Sequence, residues 1–268
     1  VSAVPKTVTH SSLALRNLPA FPAVAARVLH VAQAPQVNLK EVAELLSRDA
    51  ALSAEVLRLA NSPLMGTRFQ CQSLLQAVSM VGPARIASLA VTVGLSKFAH
   101  TLADAPVFRR AWRHNLACAL LCHQEAESYN LDPDLAYTYG LLHDIGRLVL
   151  LASQPQDYAR MVDYANRNGT PLANLERARF GFDHNEAGCW VAEVWGLPPQ
   201  LIDISLTHCG AHAPTTRLGE LVRASCRGAR ELGFSVTDWA AEDAMPSPNA
   251  SPDFFERLNQ IQQNFGLL

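Results

Sequence analysis

None of the six cysteines pairs with another in a C-x-x-C motif, which removes the commonest zinc and thiol-redox signatures. No apolar run approaches the roughly 20 residues that cross a bilayer as a helix. No signal-peptide pattern opens the chain, so the expectation is a cytoplasmic protein without a membrane segment. A formal net charge of −2 over 268 residues supplies no field that would gather nucleic acid. Convincing period-two alternation is also missing, which argues against sheet. Cys71, Cys118, Cys122, Cys189, Cys209 and Cys226 are widely spread and read as reduced thiols, mostly core filler. Cys118 and Cys122 stand one helical turn apart and could hold zinc with His123, but ordinary buried cysteine is the commoner outcome.

What the chain does contain is helix. Leu18-Pro19-Ala20-Phe21-Pro22 opens a first helix that Pro35 closes. Asn38, Asp49 and Ser73 are expected N-caps of three further helices, and Gly82-Pro83 divides the third from a strongly apolar helix over 84–98. Another begins near Val107, with His114 on the stripe of Ala111, Cys118 and Leu121 and so pointing inward. Arg109, Arg110 and Arg113 fall on other faces, as a solvated helix start would. Later helices are expected over 159–167, 172–178, 184–195, 201–208 and 218–232. A Pro/Ser-rich loop over 245–252 then precedes a terminal helix whose apolar face (Phe254, Leu258, Ile261, Phe265) must pack on this chain or on a second copy.

The stretch from Tyr139 to Leu150 carries the chemistry. Leu141, Leu142, Ile145, Leu148 and Val149 are spaced as one face of a single buried helix, and His143-Asp144 sits inside that run. A buried carboxylate needs a cation or a metal beside it. Adjacent residues supply only part of a coordination shell, so further ligands must come from elsewhere. His114, His184 and His208 qualify, each on a helix or at its end. Imidazoles sharing one carboxylate suit iron, manganese or zinc. His10, His30, His100, His123 and His212 read as hydrogen-bonded core histidines.

Several segments in order resemble the HDOD domain, a bacterial signalling family related to the HD and HD-GYP phosphohydrolases. They are Leu18-Pro19 with Pro22, Arg48-Asp49-Ala50-Ala51-Leu52, Leu57-Arg58-Leu59-Ala60-Asn61-Ser62, and Gln76-Ala77-Val78 before Val81-Gly82. The resemblance runs from about Leu13 to about Phe234. It implies an all-α fold with an N-terminal helical lobe over 13–105, an HD-like metal-site domain over 106–240, and a loop and helix over 241–268. In the HD pattern His114, His143 and Asp144 hold the first three ligand positions, and Ser225 stands where a closing carboxylate belongs. In the HD-GYP pattern His184 and His208 match second-metal ligands, with Cys209 in place of a second histidine as a thiolate ligand. The Gly-Tyr-Pro signature is missing; Gly210-Ala211-His212-Ala213-Pro214 stands there. Arg147 replaces a lysine, keeping the charge and a fork that can hold phosphate.

The reading favoured by these departures is a regulatory module with a metal-binding or degenerate HD site. It would act through signalling proteins or a nucleotide ligand, as monomer or homodimer. One or two divalent ions (Fe, Mn or Zn) are expected, or none. The alternative is an active metal-dependent phosphohydrolase of nucleotides or cyclic dinucleotides, with Asp144 and Arg147 catalytic. A third is a metal-free interaction domain.

Overall fold

The computed structural model describes residues 21, 23–62, 70–100, 105–210, 212–237 and 250–264. The fold is all-α, with no strand among the described residues. Helices α1 (Ala23–Ala32), α2 (Leu39–Ser47), α3 (Ala50–Ala60), α4 (Leu74–Val81) and α5 (Pro83–His100) form the N-terminal part. Their starts follow local chemistry. The side chain of Asn38 accepts hydrogen bonds from the Lys40 and Glu41 amides. Asp49 accepts one from Leu52 N at 2.9 Å, and Ser73 one from Gln76 N at 3.2 Å. Gly82, at φ +95°, makes the turn between α4 and α5. The opening stretch before Phe21, together with Pro22, His10 and Phe265, lies outside the described residues.

The second part comprises α6 (Pro106–Glu125), α7 (Pro133–Leu142), α8 (Ile145–Ser153), α9 (Pro155–Asn168), α10 (Leu172–Phe180), α11 (His184–Val194), α12 (Gln200–Thr207) and α13 (Arg217–Glu231). α6 lies between α7 and α13, while α11 packs against both α8 and α12. α5 is shared, touching α1 and α3 on one side and α7 on the other. The buried apolar side chains of both parts form one continuous core. Among the described residues no single helix is long and apolar enough to cross a membrane.

The terminal helix α14 (Phe254–Asn264) folds back on its own chain. Phe254 and Leu258 are buried, Phe254 lies 6.1 Å from the Phe234 ring, and Ser251 N donates to Gln124 Oε1 at 2.8 Å.

Two sequence expectations need correcting. His30 and His212 are exposed and His123 is half-buried, so none of them is a core histidine. The run from Tyr139 to Leu150 is not one helix either. It breaks at the doublet: His143 keeps helical angles, whereas Asp144 turns to φ −112°, ψ 35° and α8 starts afresh at Ile145. All five apolar positions stay buried, so periodicity alone conceals the break. Asp144 occupies the N-cap position of α8, yet its side chain makes no capping bond. The carboxylate is turned into the interior instead.

Candidate metal centre

Three imidazoles are oriented for the same local reason: each has its Nδ1–H tied to a backbone carbonyl. His143 and His208 have a ring nitrogen near Asp144, and His114 has one near His143 and Cys226. His114 on α6 donates to Phe234 O at 2.8 Å. His143 donates to Gly140 O at 2.7 Å, one turn back along α7. His208, just beyond α12, donates to Ser205 O at 3.0 Å. A carbonyl on Nδ1 fixes the tautomer and leaves an outward lone pair on Nε2, the arrangement found behind most metal-ligating histidines. Ring centroids are 5.2 Å apart for His114 and His143, and 4.9 Å for His143 and His208. Burial pushes His114 down to about 4 and, with His208 and His114 as neighbours, holds His143 well below the usual imidazole range. Both rings are therefore neutral, as a metal ligand must be.

Asp144 is 2% exposed. Its burial alone would raise the carboxyl, but the Arg147 guanidinium beside it outweighs that and holds it well below the carboxylate range. Its Oδ2 accepts from Arg147 Nε. Its Oδ1 lies 3.9 Å from His208 Nε2 and has no hydrogen-bond partner, and the same is true of His143 Nε2. Two buried acceptors left without a donor are costly, and a cation would satisfy them. The donors of His143, Asp144 and His208 lie within 4.8 Å of one another, so the residues present fit one divalent ion.

Cys226 is buried in the core, as expected of most of the cysteines, and it also faces the imidazoles. Its Sγ is 3.5 Å from His114 Nε2, and His114, His143 and Cys226 form a second group of close donors. Burial pushes its thiol up to about 12, so it stands protonated. Ser225 was expected at the closing position; it is fully buried with its Oγ unpartnered, and the side chain that meets the imidazoles from α13 is Cys226. Neighbouring helix positions point about a quarter-turn apart, which spacing by motif does not resolve. Cys118, Cys122 and His123 do not gather among the described residues: His123 faces Asp134 at 3.9 Å, and Cys118 Sγ faces Val222 O at 3.8 Å.

His184 is held differently from the other three. It opens α11 behind a capping box of Asp183 and Glu186, and its Nδ1 meets Glu176 Oε2 at 2.5 Å. Its Nε2 lies 2.9 Å from Arg147 Nη2 and 3.4 Å from Cys209 Sγ. Against burial and Arg147, the charges of Glu176, Asp144 and Cys209 pull the His184 ring toward protonation. Guanidinium nitrogens only donate, however, so the contact with Arg147 requires Nε2 to accept and places the ring proton on Nδ1. Arg147 Nη1 reaches Tyr158 OH at 3.3 Å and Glu176 Oε1 at 3.8 Å, and the Tyr158 hydroxyl donates to Glu176. The fork expected to hold phosphate is thus turned onto protein acceptors, because two buried carboxylates demand its charge.

Glu176 was not anticipated. It lies four residues after Leu172 on α10, the same buried face, and that spacing was the available signal. Burial would raise Glu176, but His184, Arg147 and Tyr158 bring it down to about 2. A depressed carboxyl stabilises the fold above its unfolded value and loses that contribution as the pH falls. Stability should therefore decline between pH 4.5 and 2. Glu176→Gln should flatten that limb in urea titrations run across the range.

Beside the imidazoles opens a cavity of about 390 Å³, lined in part by His114, Arg147, His184, Cys209, Cys226 and Arg230. That volume suits a small molecule.

The profile of the HDOD domain family matches residues 18–210. An uncharacterised protein of Treponema pallidum (strain Nichols) is 25% identical over 201 residues, which is 74% of this chain and 39% of that protein. The chain thus spans well under half of that relative's length. Among solved structures, an HDOD domain protein of unknown function from Geobacter sulfurreducens superposes with a TM-score of 0.68. It is 25% identical, over 94% of this chain and 84% of that one. A protein from Shewanella amazonensis SB2B, provisionally called a phosphohydrolase, gives 0.63 at 24% identity over 96% and 89%, a likeness of fold. Every candidate ligand except Cys226 falls inside the matched region, and the chain belongs to the HDOD domain family.

Proposed function

We propose that this chain is a regulatory HDOD module whose HD-derived centre holds a divalent metal and which acts by binding a ligand or partner protein rather than by turnover. The observation that carries the metal is the pair of unpartnered buried acceptors on His143 Nε2 and Asp144 Oδ1, with His208 Nε2 3.9 Å from that oxygen. The observation that argues against turnover is the chemistry at the rest of the shell. A protonated thiol, Cys226, meets His114 next to Ser225, which stands where the HD pattern calls for a carboxylate, and Arg147 is committed to protein acceptors. When bound, a metal in this shell would supply a Lewis acid and an anchor for an anionic group. The chain's own part is to hold His114 and His143 neutral, to tie Nδ1 of His114, His143 and His208 to backbone carbonyls, and to leave a cavity open beside them.

Protein purified and reloaded with manganese, iron or zinc should carry metal, and His143→Ala should reduce it to below roughly one tenth of an equivalent. Metal content unchanged by that substitution would remove the centre. The hydrolytic reading draws on the cavity, whose size accommodates a nucleotide and whose wall includes Arg230. A panel of nucleotides and cyclic dinucleotides with added manganese separates the two readings. No product is expected; turnover lost in Asp144→Ala would establish the hydrolase.

A further inference from the structure

We infer that Arg147 takes the place of the second cation of a two-metal HD centre, so that the site admits one divalent ion and the guanidinium is a permanent second positive charge. This rests on the metal-holding reading above and deepens it. The donors a second ion would draw on are His184, His208 and Cys209, which lie within 4.8 Å of one another, with the far oxygen of Asp144 beside Arg147. His184 Nε2 and that oxygen are already engaged by Arg147, at 2.9 Å for His184 and in direct contact for Asp144. His184 has no other lone pair to offer, since its Nδ1 proton is held by Glu176. An ion between these atoms would have to displace the guanidinium or sit against it, doubly charged beside singly charged within a buried site.

Three features keep Arg147 in place. Its side chain is 12% exposed and meets acceptors from four directions: Asp144 at the start of α8, Tyr158 on α9, Glu176 on α10 and His184 on α11. Withdrawing it would leave Glu176, fully buried, without its nearest full charge. A guanidinium also stays protonated at any physiological pH, so it cannot become neutral to make room as a lysine amine can. The consequence is chemical. A second metal would acidify a water shared between two ions, whereas a guanidinium supplies charge without ionising water. This centre is built to retain an anion.

The test is metal stoichiometry on the full chain, stripped and then reloaded with manganese, read by elemental analysis and by electron paramagnetic resonance. Wild type is expected to bind one equivalent with the spectrum of an isolated ion. Arg147→Met removes the charge at similar volume and is expected to bind two, with the broadened spectrum of a coupled pair. His184→Ala is expected to keep one equivalent, since its Nε2 serves Arg147 rather than the metal, and this readout does not depend on the Arg147 variant folding. Two equivalents in wild type, one in a folded Arg147→Met, or loss of the ion in His184→Ala would each overturn the assignment while leaving a metal centre standing. Wild type that binds none would overturn both.

Discussion

Gly146→Ala should be severely destabilising, since a Cβ there meets backbone closer than at the other described glycines. A Cβ built on Gly146 would lie 2.0 Å from His184 O, 2.4 Å from Gly188 N and 2.9 Å from Gly188 Cα. These are backbone atoms, and no rotamer change relieves them. α11 cannot simply retreat, because a Cβ on Gly188 would already meet Ser205 Oγ on α12 at 2.8 Å. α8, α11 and α12 are stacked at glycine distance. The substitution should cost about 3 kcal/mol, the upper end of overpacking, read as a lower urea midpoint. It should also move His184 off Arg147 and so disturb the centre. Gly196→Ala is the control: it carries strain from φ +61° but meets nothing within 4 Å, and should cost about 1 kcal/mol.

Asp144→Ala should act twice over. Removing the carboxylate leaves Arg147 buried with only the more distant Glu176 for counter-charge, at 3.8 Å. Breaking a buried pair by deleting one member costs about 3–5 kcal/mol, and thermal unfolding should fall by roughly 2–4 °C for each of those. The same change removes the oxygen shared by the candidate ligands, so metal should be lost as well. The paired substitution Asp144→Ala with Arg147→Met should regain part of the stability, since Glu176 then loses its guanidinium, and none of the metal. A double variant as unstable as the single one would mean that the ion pair is not what the carboxylate contributes.

The fate of the His143-Asp144 doublet shows where reading by pattern stops. Apolar spacing through Leu150 is correct at all five positions, yet the backbone breaks between Leu142 and Ile145. No proline marks the place. Gly146 is the one local clue, and its role is set by the backbone of α11, some forty residues away. Arg147 was legible as a cation beside the doublet, but whether it faced a ligand or the protein depended on Glu176 and Tyr158, brought in by α9 and α10. Cys226 carried no sequence signal beyond its neighbour Ser225, and its proximity to His114 spans 112 residues.

Helix starts at Asn38, Asp49 and Ser73, the burial of His114 and the all-α class were determined by the sequence itself, because caps and periodicity act over a few residues. That His114, His143, Asp144, His184 and His208 stand near one another was legible through the order of their motifs, whereas the approach of Cys226 was not. What each ligand atom faces was decided only in three dimensions. A lone pair becomes available to a metal, or is taken by a guanidinium, according to which helices cross beside it, and those crossings are set by packing between residues distant in the chain.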